Sequence, residues 1–173
     1  PNFYIILVAS SGRFRKSTSI DVTLDVFDQL APAPNVISQK ITPEALIKAI
    51  CYVETTDEKH FLRETCEGIV VARELASFLN NKTYDGIAPI LNDLFDCKTF
   101  RYETLSRGTE KLKNPCLSLI GASTIDWIRS SIPFDAVGGG LTSRVVFVYV
   151  EEPPPPIILT KKTPEKIALF QSL

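Results

Sequence analysis

Ser10-Ser11-Gly12-Arg13-Phe14-Arg15-Lys16-Ser17-Thr18 gathers in one short stretch the groups that hold a phosphate chain. Such a site uses backbone N–H groups aimed inward at a helix N-terminus, a lysine that reaches the outer phosphates, and a hydroxyl ligand for magnesium. The spacing Ser10-x-x-x-x-Arg15-Lys16-Ser17 supplies them in order. Ser10 and Arg15 stand where the pattern G-x-x-x-x-G-K-[ST] has its glycines, and Gly12 lies inside the loop. Ser11, Gly12, Arg13, Phe14, Arg15, Lys16, Ser17 and Thr18 are the candidate nucleotide contacts, with Ser17 also offered to Mg²⁺. Taken alone, Arg13, Arg15 and Lys16 read equally as a solvated basic turn.

Three further places can carry chemistry with phosphates. Glu74 follows the apolar run Ile69-Val70-Val71-Ala72, where an acidic residue orients a metal or polarises an attacking water; an acidic residue in a helix's first turn is the alternative. Ser123 and Thr124 end another apolar run and offer hydroxyls to a γ-phosphate or a water, or else cap the following helix. Arg144, after Gly138-Gly139-Gly140, is placed as an arginine finger that stabilises transferred phosphate charge in an adjacent subunit, or as one half of a surface ion pair.

The elements that must position these residues follow from apolar patterning. Phe3 to Val8 is a continuous apolar run that suits a strand buried on both faces of a parallel sheet. From Ser17 the pattern turns helical, through Ile20, Leu24 and Phe27 to Leu30, before the Ala31-Pro32-Ala33-Pro34 breaker. Thr42 caps a second helix that has Pro43 in its first turn and runs to Ile50. Residues 54 to 60 read as a polar surface segment. Gly68 to Ala72, Cys116 to Gly121 and Val145 to Val150 are further core strands, with a short helix at Leu75 to Leu79 and another at Asp126 to Ile132, Trp127 serving its core side.

Between Lys98 and Lys113, five basic residues meet two acidic ones, and Phe100–Thr104 with Glu110–Leu112 flank Ser106-Arg107-Gly108-Thr109 as a hairpin whose Gly108 supplies a positive φ. Arg101, Arg107, Lys111 and Lys113 are its candidate DNA contacts, a solvated basic face being the alternative. The net charge of −1 leaves nucleic-acid attraction to such local patches. Cys51, Cys66, Cys97 and Cys116 are scattered and His60 is the single histidine, so neither a zinc site nor a disulfide framework is signalled and reduced thiols are expected. No apolar run reaches the roughly 18 residues of a membrane span and no secretory leader is recognisable, so a cytoplasmic protein without a membrane partner is expected. The opening at Pro1 and the absence of Met suggest a segment of a longer polypeptide. Residues 1–152 are expected to form the core, and 153–173, opening on Pro153-Pro154-Pro155-Pro156, a proline-rich linker leading into a truncated helical region.

The collinear order of Ser10 to Thr18, Ile41-Thr42-Pro43-Glu44-Ala45-Leu46, Glu74 to Leu79, Asn114-Pro115-Cys116-Leu117, Ile120 to Thr124 and Gly139-Gly140-Leu141-Thr142-Ser143-Arg144 resembles a family of phage, plasmid and archaeal-virus proteins. Their helicase-like P-loop ATPase domain is related to RecA-like and AAA+ ATPases and is often joined to a primase. The resemblance implies an α/β P-loop NTPase core, a mainly parallel sheet flanked by helices with an inserted β-hairpin. It also implies ATP and Mg²⁺ as cofactors, a homo-oligomeric ring with nucleotide at subunit interfaces, DNA as partner, and primase or other replication domains on the longer chain. Carried over, Lys16 and Ser17 are the phosphate-loop pair, Glu74 the acidic residue after the second motif strand, as catalytic base and metal partner, Ser123 or Thr124 the sensor, and Arg144 the finger. Arg73, at a position commonly acidic in such ATPases, and Arg15 depart from the pattern. An ATP-driven DNA motor is the leading expectation, a nucleotide-binding assembly module without turnover the second, and a small-substrate phosphotransferase the third.

Overall fold

The computed structural model describes residues 2–12, 14–56, 61–79, 84–104, 108–131 and 140–152. Its centre is a five-stranded parallel sheet in the order β2-β4-β7-β1-β8. The strands are β1 (Tyr4–Val8), β2 (Val36–Ser38), β4 (Phe61–Ala72), β7 (Cys116–Ser123) and β8 (Val145–Tyr149). β1 lies between β7 and β8, with Val8 opposite Ser123 on one side and Tyr149 on the other. β4 pairs with β2 and β7 through its second half, so β7 separates the strand that feeds the candidate loop from the one that feeds Glu74.

Six helices accompany the sheet among the described residues: α1 (Lys16–Phe27), α2 (Pro43–Ile50), α3 (Leu75–Leu79), α4 (Tyr84–Phe95), α5 (Ile125–Ser131) and α6 (Leu141–Arg144). Alternation along each strand divides the core. Tyr4, Ile6 and Val8 of β1, Val70 and Ala72 of β4, and Leu117 and Leu119 of β7 pack with α2, α3 and α4 on one face. On the other face Ile20, the one fully buried residue of α1, meets Val71 and Ala122, with Leu7, Leu24, Ile69 and Ile120 around it. Apolar strands covered by helices on both faces are what a parallel sheet requires. β8 is the exception: Val146 to Val150 stay 40–55% exposed.

Local chemistry accounts for the boundaries. Thr42 Oγ1 accepts the Ala45 N–H at 3.3 Å and so caps α2, with Pro43 in its first turn as expected. The expected hairpin is present as β5 (Phe100–Thr104) against β6 (Gly108–Leu112), a separate two-stranded sheet. Gly108 corrects the sequence reading: it stands in the ladder opposite Thr104, and 105–107, Arg107 among them, lie outside the described residues. Of the expected polar surface segment at 54 to 60, residues 54–56 belong to a strand and 57–60 lie outside the described residues. Cys51–Thr56 forms β3, which pairs antiparallel with the first half of β4, from Cys51 opposite Cys66 to Thr56 opposite Phe61.

All four cysteines are free thiols, yet they are not scattered in space. Cys51 faces Cys66 across the β3–β4 ladder, and the Cys116 thiol is pushed up from its ordinary pKa by burial first and by the neighbouring Cys97 second. Among the described residues no helix is long and apolar enough to cross a membrane. His60, Gly138, Gly139 and the proline-rich 153–173 lie outside the described residues.

Candidate functional site

The C-terminal ends of β1, β7 and β4 bring three of the expected groups to one edge of the sheet. β1 ends at Val8, and α1 begins at Lys16. Two described residues of the connecting loop have positive φ, Gly12 at 87° and Arg15 at 48°. Glycine adopts the first freely; for Arg15 the left-handed region costs about 1 kcal/mol. Arg15 occupies the position of the pattern's second glycine, so the loop keeps the conformation that glycine serves while carrying an arginine there.

α1 has no side-chain cap, and its first intrahelical acceptor bond is Ser19 N–H to Arg15 O at 3.1 Å. The N–H groups of Lys16, Ser17 and Thr18 therefore open outward with the positive end of the helix dipole behind them. Lys16 Nζ folds back over the loop and donates to Ala9 O at 2.6 Å and Ser10 O at 2.8 Å. Partial burial pushes its pKa below the ordinary lysine value. No carboxylate pairs with it among the described residues. Ser11, Gly12, Ser17 and Thr18 are exposed and Phe14 is half-buried; Arg13 lies outside the described residues. Donors of this number suit the oxygens of a polyphosphate, and the exposed Ser17 hydroxyl suits one coordination place on Mg²⁺, which would neutralise phosphate charge.

Ser123 closes β7 directly beside the loop. It is 7% exposed, lies opposite Val8, and its carbonyl accepts the Ala9 N–H at 3.4 Å. Its Oγ donates only a long bond to Thr124 O, at 3.4 Å. Thr124 is differently engaged: its Oγ1 accepts the Trp127 N–H at 3.3 Å and caps α5. Of the two expected sensor hydroxyls, Ser123 has the freer one and the position nearer the loop.

Glu74 follows β4 at the same edge, two strand spacings or about 10 Å from β1. Its N–H donates to Gln39 Oε1 at 3.2 Å, and its Oε2 accepts from Ser77 Oγ at 3.2 Å. Gln39, just past β2, and Ser77 were not singled out in the sequence; only the pairing of β2 with β4 brings the first to Glu74. Arg73 turns onto α1, its Nε 2.6 Å from Asp21 Oδ1, and so is occupied by a carboxylate of its own. Asp21 was also missed, because the contact spans 52 residues.

Arg144 does not join this group within the chain. It ends α6 at the start of β8, where Val145 lies opposite Tyr4, so about 20 Å of strand separates it from the loop. Its Nη1 donates to Gly140 O at 2.8 Å, and its guanidinium stands 5.4 Å from the centroid of the Phe95 ring.

The β5–β6 hairpin turns Leu112, with half-buried Phe100 and Tyr102, toward the core, Tyr102 Oη bonding Glu44 Oε1 at 3.4 Å. Arg101 and Lys111 are exposed and directly opposite each other, and Lys113 is exposed beyond them. Like charges in register repel. Lys98 of the same basic stretch pairs with Asp96 at 3.4 Å.

A comparison with protein-family models finds no match, and a comparison with curated proteins finds none either.

Proposed function

We propose that this chain binds ATP with Mg²⁺ at the Ser10–Thr18 loop and hydrolyses it as the P-loop core of a helicase-like DNA motor. The observation that carries the reading is the loop itself: positive φ at Gly12 and Arg15, open N–H groups at Lys16 to Thr18, and a lysine that meets no carboxylate among the described residues, all at the C-terminal end of a central parallel strand. Ligands of open α/β sheets bind at that edge. Ser123 and Glu74 stand at the same edge on the next two strands.

In this reading Lys16 exchanges its bonds to Ala9 and Ser10 for β- and γ-phosphate oxygens. Ser17 holds the metal, Ser123 hydrogen-bonds the γ-phosphate or the attacking water, and Glu74 accepts that water's proton. The Arg73–Asp21 pair supports this role for Glu74, because it holds a competing positive charge against α1. Arg144 acts only in a neighbouring subunit of a homo-oligomeric ring, by releasing Gly140 O. Arg101, Lys111 and Lys113 take DNA phosphates, which would relieve the repulsion across the hairpin.

Steady-state ATP turnover with and without single-stranded DNA tests the proposal. Wild type is expected to hydrolyse ATP faster with DNA, and Glu74→Gln to lose at least about a hundredfold in kcat while still binding nucleotide. Binding without turnover in wild type would favour the assembly-module reading instead. Turnover unchanged by Glu74→Gln would remove this residue from the mechanism.

A further inference from the structure

We propose that the cleft between the loop and the end of β8 receives the nucleobase of the bound nucleotide, an inference that rests on the phosphate-loop reading above. The cleft measures about 450 Å³ and is continuous with the loop, because Lys16 and Phe14 line its wall. A nucleotide whose phosphates lie over the start of α1 has its sugar and base leaving the loop on one side or the other. On the β7 side stand Ser123 and, beyond it, Glu74; on the β8 side the described residues leave the cleft open.

Its chemistry suits a flat aromatic ring. Leu7 and Val148 lie opposite each other in register and form part of its floor with Val150. Val148 and Val150 are 43% and 45% exposed, apolar surface on a face that parallel sheets ordinarily keep covered. Phe14, half-buried in the loop, adds an aromatic wall on which a base can stack. Polar groups are few, as in other small-molecule sites: Ser19, already bonded to Arg15 O at 3.4 Å, and the Glu152 carboxylate, which can accept from an exocyclic amino group. The volume is within the roughly 300–1,000 Å³ of such sites.

The test compares ATP with inorganic tripolyphosphate, which has the phosphates and no base, by calorimetric titration at constant Mg²⁺. Wild type is expected to bind ATP at least about tenfold more tightly, although tripolyphosphate carries the larger charge. Val148→Trp, at a half-exposed position, fills the cleft; it should bring ATP to within about twofold of tripolyphosphate and leave tripolyphosphate affinity unchanged. Val150→Trp should act in the same direction and decides the matter if Val148→Trp fails to fold. Equal wild-type affinity for the two ligands, or tryptophan variants that keep the full preference for ATP, would overturn the base cleft while tripolyphosphate binding lost in Lys16→Ala left the loop standing. Wild type that bound neither ligand would remove the loop reading and this inference with it.

Discussion

The two ends of the central sheet treat their polar groups in opposite ways. At the N-terminal end of the strands the side-chain donors find partners within the chain, although the buried Asn2 Oδ1 has none among the described residues. Asn2 Nδ2 donates to Leu94 O and Phe95 O, Tyr4 Oη to Leu91 O, and Arg144 to Gly140 O, while the Tyr4 ring stands edge-on to Phe95, 5.3 Å between centroids. At the C-terminal end the N–H groups of Lys16 to Thr18 meet no acceptor and Lys16 no carboxylate among the described residues, and Arg15 holds a disfavoured backbone conformation. Buried polar groups that find partners within the fold serve stability. Donors left open at a strained loop are suited to a ligand. Two basic residues that both donate to main-chain carbonyls therefore differ in their surroundings: Arg144 stands over the Phe95 ring and ties α6 to α4, whereas Lys16 lies beside the open start of α1, where phosphate oxygens could replace Ala9 O and Ser10 O.

Stability measurements sharpen this contrast. Arg144→Ala removes a charged hydrogen bond and a cation–π contact, and urea unfolding should show a loss of about 2 kcal/mol. A loss under 0.5 kcal/mol would mean that the N-terminal end does not depend on it. Tyr4→Phe should cost about 1 kcal/mol at pH 8 for one buried hydrogen bond. Burial holds the Tyr4 phenol well above its ordinary value of 10.0, with the nearby Cys97 adding to the shift. The native state therefore keeps the proton that the unfolded chain gives up above pH about 10, and this contribution to stability falls as pH rises. The deficit of Tyr4→Phe relative to wild type should then shrink by about 1.4 kcal/mol per unit above pH 10. A constant deficit would contradict the burial argument.

Arg15→Gly gives the smallest effect, and with the opposite sign. Glycine relieves the left-handed backbone but adds freedom to the unfolded chain, so the net gain should be positive and below about 1 kcal/mol. Destabilisation would show that the arginine side chain supports the loop.

Much of the C-terminal end was legible because its signals are local. The apolar run into Ser10, the helix after Ser17, the Thr42 cap, the run into Ser123 and the basic hairpin all fell close to their observed places. What was not legible depends on pairing or on weak local signals. β2 has only three residues close behind a proline pair, too short to show alternation. β3 and the start of β4 carry Glu54, Arg63 and Glu64, so their charge hid a ribbon held by cross-strand bonds. α4 contains Pro89, which reads as a breaker. The partners of Glu74 and Arg73, and the commitment of Arg144 to Gly140 and Phe95, join distant segments or a turn too short to announce itself.

The most direct test titrates a fluorescent ATP analogue, with Mg²⁺, into wild type, Lys16→Ala and Arg144→Ala. The account predicts tight binding in wild type, a loss of at least about a hundredfold in Lys16→Ala, as expected where charged hydrogen bonds to phosphate disappear, and affinity within about threefold of wild type in Arg144→Ala. Equal affinity in wild type and Lys16→Ala, or a loss confined to Arg144→Ala, would contradict it and place the open end of the sheet outside nucleotide binding.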